Sequence, residues 1–193
     1  MNRATRLLAA LIATGLIAVA SGRATFAAFT LTTSNTANAY ASGTVVISDN
    51  DAGTVMWNVT NQLPTSPAIV RCIRVTYTGS LPATVNLYTT TAASPLDPYL
   101  NVTVEKGSMP AATAFSSCTG FASQATISAA GTLRAFKAAR TGWANGLTAF
   151  PGAQTAWNNA DTLVYRFTVQ VQNVFAAQGL TGLVGFTWEA QNQ

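Results

Sequence analysis

The sequence predicts an all-β protein, a jelly-roll-like antiparallel β-sandwich with one long insertion that contains a short helix. The first observation is an alternation of apolar and polar residues with period two, repeated along the chain. This alternation is typical of antiparallel strands that bury one face and expose the other to water. Its apolar members are Val45 and Ile47; Val55, Trp57 and Val59; Ile73, Val75 and Tyr77; Val85 and Leu87; Val102 and Val104; Tyr165, Phe167, Val169 and Val171; and Val184, Phe186 and Trp188.

The second observation is the turn chemistry between these segments, at residues 48–53, 78–82, 94–98 and 178–179. Gly, Pro, Asn, Asp and Ser are common there, and each of these residues favours a turn for its own conformational reason. About seven or eight short strands without helices between consecutive ones favour a sandwich or a jelly roll.

Residues 107–160 are the exception, because they are rich in Ala and lack sustained alternation. With helical spacing, the apolar residues Leu133, Phe136 and Ala139 fall on one face. The basic residues Arg134, Lys137 and Arg140 fall outside that face. We predict a short amphipathic helix within a long insertion. The three basic side chains are expected in solvent, with a binding stripe as the alternative.

The N-terminus is organised like a secretory signal peptide. Arg3 and Arg6 precede an apolar run at residues 7–20, which is shorter than the roughly 20 residues that a helix needs to cross a bilayer. Small side chains near Ala27 place the predicted cleavage between Ala27 and Ala28. An uncleaved anchor is the alternative interpretation.

Residues 28–193 are therefore expected to form one exported domain that meets a membrane only through the signal peptide, before cleavage. Arg3, Arg6 and Arg23 leave with the peptide, so seven of ten basic residues remain against six acidic ones, a net charge of +1. Nucleic acid is not expected as a partner, since no basic patch is left to contact phosphates. So small a charge also leaves little repulsion against self-association.

The chain has two cysteines, Cys72 and Cys118. In an oxidising compartment outside the cell, one intramolecular disulfide between them is the expected state. Two free thiols or a metal pair are the alternatives.

An enzymatic function is not expected. The chain has no histidine, which excludes His-ligated metal sites and nucleophiles activated by a histidine. Glu105 and Glu189 lie in predicted strands, and a pair of carboxylates is what a glycosidase requires, but nothing in the sequence brings the two together. No cofactor is predicted.

Asp49 and Asp51 belong to a DNDAG stretch that weakly resembles a calcium loop. No bidentate Glu follows at the required distance, and Asp and Asn form turns without a metal. The two aspartates are therefore only weak metal candidates.

Several stretches together resemble the TasA/camelysin family of secreted bacterial proteins: residues 25–29 (TFAAF), 35–44 (NTANAYASGT), 49–51 (DND), 72–81 (CIRVTYTGSL) and 186–190 (FTWEA). The first of these is similar to the junction cut by the specialised SipW-type signal peptidase. The family resemblance implies an exported jelly roll whose best-known members polymerise into biofilm-matrix fibres. The metallopeptidase label of some family members is not carried over, because the chain lacks histidines.

In such fibres the segment after the cleavage site completes a sheet in the next subunit, and residues 28–35 match that segment. The resemblance thus implies a donor strand formed by Ala28, Phe29, Thr30, Leu31, Thr32 and Thr33. From the residues alone, Phe29 and Leu31 alternate with Thr30 and Thr32, which predicts an uncharged strand with one apolar face that can pair with an edge. Pairing within its own sheet remains the alternative.

The expected function is that of a secreted structural protein, a homopolymeric fibre subunit of the extracellular matrix or cell surface. The alternative is a monomeric binding module of the cell envelope that uses residues 107–160 as its recognition surface. A hydrolase is a third and weaker alternative.

Overall fold

Two antiparallel sheets form a sandwich in the computed structural model, which describes residues 42–58, 62–63 and 65–193. The strands are β1 (Ile47–Asp49), β2 (Ile69–Tyr77), β3 (Ala83–Tyr88), β4 (Leu100–Ser108), β5 (Ala122–Thr132), β6 (Leu147–Thr148), β7 (Thr162–Val171) and β8 (Thr187–Asn192). One helix, α1 (Leu133–Ala139), follows β5, and 3-10 turns occur at Asp97–Tyr99, Trp143–Asn145 and Phe175–Ala177. The predicted all-β sandwich with a short helix is confirmed.

The larger sheet has the strand order β1-β2-β7-β4-β5, and the smaller sheet has the order β6-β3-β8. The chain crosses from one sheet to the other between β2 and β3, β3 and β4, β5 and β6, β6 and β7, and β7 and β8. Such crossings place sequential strands face to face, so the apolar positions of both sheets meet in one core.

The core contains most of the alternating apolar residues that the sequence indicates, together with others such as Trp157, whereas Val55 of the alternating set is exposed. Ile73, Val75 and Tyr77 from β2 pack with other buried side chains such as Leu87 from β3 and Phe167 from β7. Burying a side chain of this size contributes about 1.5–3 kcal/mol. The alternation therefore determines which face of each strand points inward.

The register of the larger sheet defines two ends of the sandwich. At the upper end, β2 begins opposite the end of β7, and Leu100 of β4 pairs with Val171. At the lower end, β2 finishes and β7 begins, with Thr76 opposite Thr162. The described chain starts at this lower end, where Thr44 exchanges hydrogen bonds of 2.9 Å with Ser80.

Three details differ from the sequence expectations. Residues 54–58 are not a strand, and Val59 lies outside the described residues. Residues 107–160 are more than an insertion, since they contain the whole of β5 and β6. The last predicted strand starts later than the alternation indicates, at Thr187, with Val184 and Phe186 in the irregular segment before it.

Helix α1 buries Leu133 and Phe136 as expected, but Ala139 on the same predicted face is exposed. Of the three basic residues, Arg134 is exposed and Arg140 is half-buried. The expectation that Lys137 lies in solvent is wrong, because its side chain is buried against Asp97. Helical periodicity identifies the inward face of the helix. It does not predict that a buried aspartate from another segment lies next to Lys137.

The N-cap of α1 provides a first testable prediction. The Thr132 hydroxyl accepts a 3.1 Å hydrogen bond from the Ala135 amide. Thr132→Ala should lower the free energy of unfolding by about 1 kcal/mol, because that amide loses its partner. Thr132→Ser, measured beside it in urea, should retain most of the stability, and equal losses in both variants would contradict the assignment.

The predicted disulfide between Cys72 and Cys118 is confirmed, with a Cα–Cα distance of 5.1 Å. It joins β2 to the loop between β4 and β5, which lies over the outer face of the larger sheet. The guanidinium of Arg74 holds the same loop by donating to the carbonyls of Pro110 and Ala111. The loop therefore buries Cys72, although Cys72 is on the outer face of its strand.

Candidate functional site

A groove of about 990 Å³ lies between the inner face of the larger sheet and the segment that leads into β8. Its floor includes Ile73, Val102 and Val169 from β2, β4 and β7, and one wall includes Phe186 and Trp188. Among the described lining residues, Asp51 is the only one with a charged side chain. The groove therefore suits an uncharged, partly apolar ligand.

The groove follows the outer edge of the smaller sheet. Within the described part of the chain, β8 pairs with β3 and has no strand on its other side. A further recess of about 270 Å³ lies between Thr187 of β8 and Ile47 and Val75 of the larger sheet. Since the smaller sheet has three strands and the larger has five, an added strand beside β8 would cover apolar surface that the three strands leave open.

Trp57 also lines the groove. Its ring centroid lies 5.7 Å from that of Phe167 and 5.8 Å from that of Phe186, both in edge-on geometry. The indole N–H of Trp57 is buried and has no hydrogen-bond partner among the described residues. The Trp188 ring packs on Tyr165, with ring centroids 5.5 Å apart.

The segment at residues 181–185 forms the wall next to β8 and continues the line of that strand without regular pairing. It is held against residues 91–96 by polar contacts: the Gly185 amide donates to the Thr91 hydroxyl at 2.8 Å, and the Leu96 amide donates to the Thr181 carbonyl at 3.1 Å. Leu183 and Ser94 form two more such contacts, so this wall is anchored by polar groups along its length although it is not in a ladder.

Lys137 fixes this segment from the other side. Its ammonium donates to the Leu183 carbonyl at 2.6 Å, to the Ala92 carbonyl at 3.0 Å and to the Asp97 carboxylate at 2.8 Å. Lys137 is 7 % exposed and Asp97 is 0 % exposed. One buried ammonium therefore joins the helix, the loop before β4 and the wall of the groove.

Burial raises the pKa values of two groups in the larger sheet. Burial raises the pKa of the Tyr165 hydroxyl, which stays neutral in the core. Loss of solvation raises the pKa of Asp49, and the carboxylate of nearby Asp51 adds to the increase.

The weak metal candidates Asp49 and Asp51 use their oxygens within their own turn. The Asp49 carboxylate accepts the Asp51 amide at 3.0 Å, and the Asp51 carboxylate accepts the Gly53 amide at 2.6 Å. Within the described residues, no group of three or more acidic, Cys or His side chains could hold a metal ion. The positions of the two aspartates are thus explained by the hydrogen bonds of the turn, without a metal ion.

The two glutamates that a glycosidase would need lie in different sheets. Glu105 of β4 accepts from the Arg166 guanidinium at 2.7 Å. Glu189 of β8 accepts from the Tyr88 hydroxyl at 2.8 Å, and its hydrogen bonds from Gln191 and Tyr88 lower its pKa. The structure does not bring the pair together.

The predicted donor strand (residues 28–33) and the cleavage site at Ala27 and Ala28 lie outside the described residues. The groove itself could not be found from sequence reasoning. Its wall at residues 181–185 reads TGLVG, a pattern that indicates neither a strand nor a site.

No protein-family model matches the chain, and no curated protein sequence matches it significantly. Within the residues that the structure describes, no helix is long and apolar enough to cross a bilayer.

Proposed function

We propose that this protein is a secreted structural subunit that assembles into extracellular fibres by donor-strand exchange. Signal peptidase cleavage after Ala27 would free residues 28–35, and that segment would bind in the groove of a neighbouring copy. The observation that carries the proposal is the apolar groove beside the open edge of β8. This function agrees with the resemblance to the TasA/camelysin family.

The chemistry of donor and groove is complementary. Residues 28–35 carry no charge and alternate Phe29 and Leu31 with threonines. Such a strand can place its apolar side chains on the groove floor while its backbone pairs with β8, a mode known as β-strand addition. The low charge of the groove lining matches this segment.

The direction of the chain favours a neighbour as the source of the strand. β8 runs from the upper end to the lower end, since Thr187 pairs with Tyr88 and Asn192 with Ala83. The described chain begins at the lower end, so a segment arriving there from the groove of its own subunit would run parallel to β8. A segment that leaves the groove at the upper end, toward another subunit, would run antiparallel, as every other pair in the two sheets does.

The favourable and unfavourable contributions to the free energy of donor-strand binding are nearly equal. Burying Phe29 and Leu31 contributes ~3–6 kcal/mol, and about five or six ladder hydrogen bonds contribute ~3–8 kcal/mol. Ordering the backbone of about six residues costs ~6–12 kcal/mol. The strand alone therefore gives weak assembly, and a stable fibre needs a further contact between subunits.

Phe29→Asp is the direct test, made in protein produced from Ala28 onward so that cleavage is not affected. A buried carboxylate opposes insertion, so the variant should form no filaments by electron microscopy and should sediment as a monomer. Thr30→Asp is the matched control, because the alternation predicts that residue 30 is on the polar face of the proposed strand, and this variant should still polymerise.

Mixing the Phe29→Asp variant with the unsubstituted protein provides a second test of strand exchange. Phe29→Asp retains an intact groove, so small amounts added to the unsubstituted protein should shorten its filaments by ending their growth. Filaments of normal length from Phe29→Asp alone would refute strand exchange. A protein that stays monomeric throughout yet binds cell-envelope fractions would favour the binding-module alternative.

A further inference from the structure

Phe175 is an exposed aromatic residue in an ordered turn at the upper end of the sandwich. Its side chain is 85 % exposed. The turn is fixed by backbone hydrogen bonds from Val174 to the Gln172 carbonyl at 2.9 Å and from Gln178 to the Phe175 carbonyl at 3.1 Å. A single exposed apolar residue is ordinary, but this one is held in place two residues before Ala177, which lines the groove.

Two further exposed leucines belong to the lining of the same groove. Leu63 is 63 % exposed and Leu183 is 71 % exposed. We call Leu63, Phe175 and Leu183 the upper patch. None of the three is charged: Leu63 and Leu183 line the groove, and Phe175 lies in the turn that follows β7 at the upper end.

The lower end of the sandwich also has exposed apolar side chains. Val45 and Val46 are exposed and lie just after the start of the described chain. Their backbone is fixed to the β2–β3 turn, since the Thr78 amide donates to the Val46 carbonyl at 2.9 Å. An uncharged apolar surface therefore lies beside the point at which the N-terminal segment joins the domain.

The segment that connects the proposed donor strand to the domain is short. It therefore limits the distance between the upper patch of one subunit and the lower end of the next. Residues 36–41 separate the donor segment from Ser42, and a fully extended chain of that length spans at most about 20 Å. A donor strand seated in a neighbour's groove therefore holds the neighbour's upper end close to the lower end of the donor subunit. No other part of the described domain is constrained in this way.

We propose that the upper patch packs on Val45 and Val46 of the next subunit and is the second contact of the fibre. This inference rests on the proposed function, and its partner is a second copy of this chain. The contact supplies apolar burial that the nearly balanced strand energy lacks. It also explains why a solvent-facing turn holds an exposed Phe in fixed geometry.

Cysteine trapping tests the contact. The native cysteines are bonded to each other, so the double variant Phe175→Cys with Val46→Cys adds the reactive thiols. Oxidation with molecular oxygen and a copper catalyst should give a ladder of covalent oligomers on non-reducing gels. Phe175→Cys with Ala129→Cys is the matched control, because Ala129 is exposed on β5 at the far edge of the larger sheet, and it should give no ladder.

A second variant measures how much the contact contributes. Phe175→Asp should raise the concentration needed for filaments at least tenfold, and Phe175→Leu should restore most of the loss. Normal filaments from Phe175→Asp together with no ladder would overturn the patch contact and leave strand exchange intact. A ladder that persists when Phe29→Asp is added would support the patch contact even if strand exchange is wrong.

Discussion

Replacing Lys137 by methionine is expected to lower the free energy of unfolding by about 3–5 kcal/mol. The reason is that Asp97 is fully buried and would lose its 2.8 Å ammonium partner. The carbonyls of Ala92 and Leu183 would lose a donor as well. Urea unfolding followed by tryptophan fluorescence measures the change, since several tryptophans pack in or near the core.

Arg134→Met is the matched control, because Arg134 is exposed on the same helix, and it should change stability by less than about 0.5 kcal/mol. The double variant Lys137→Met with Asp97→Leu should recover much of the loss, since removing both charges leaves no unpaired one. Similar losses for Arg134→Met and Lys137→Met would contradict the role given to the buried pair.

Removing the disulfide is expected to have the next largest effect. Cys72 and Cys118 are 46 residues apart, so the chain-entropy model gives a loss of about 4 kcal/mol for Cys72→Ala with Cys118→Ala. The loop between β4 and β5 would then be joined to β2 by the hydrogen bonds of Arg74 and by the backbone hydrogen bond from residue 72 to the Ser116 carbonyl. Thermal unfolding should show a clearly lower midpoint.

Reduced unsubstituted protein provides the comparison. Dithiothreitol should lower its unfolding midpoint toward that of the double-alanine variant and leave the variant itself unchanged. An unsubstituted protein that unfolds at the same temperature with the bond reduced, as verified by mass, would show that the bond contributes little.

The fold could be predicted where alternation and burial agree. β2 and β7 have strict apolar alternation on the inward face, and both occur where the pattern places them. The sequence does not predict β5, because this edge strand is made mostly of Ala, Ser, Thr and Gly, and Ile127 is its one large apolar side chain. Residues 54–58 alternate like a strand, but they bury Trp57 against Phe167 and Phe186 without entering a ladder.

The candidate site was less accessible to sequence reasoning than the fold. The proposed donor strand is a local pattern, so residues 28–35 could be proposed from the sequence alone. The acceptor half depends on which strand occupies the edge of the smaller sheet, and strand order is a property of the whole chain. The burial of Lys137 could not be predicted for the same reason, since its acidic partner Asp97 lies 40 residues away in sequence.

Hydrogen exchange along β8 tests the central claim most directly. Amides within residues 187–192 should be compared between filaments of the unsubstituted protein and monomers of the Phe29→Asp variant. We expect those amides of β8 that point away from β3 to exchange rapidly in the monomer and to become strongly protected in the filament. Equal exchange of these amides in the two states would contradict the claim that a neighbour's strand pairs with β8.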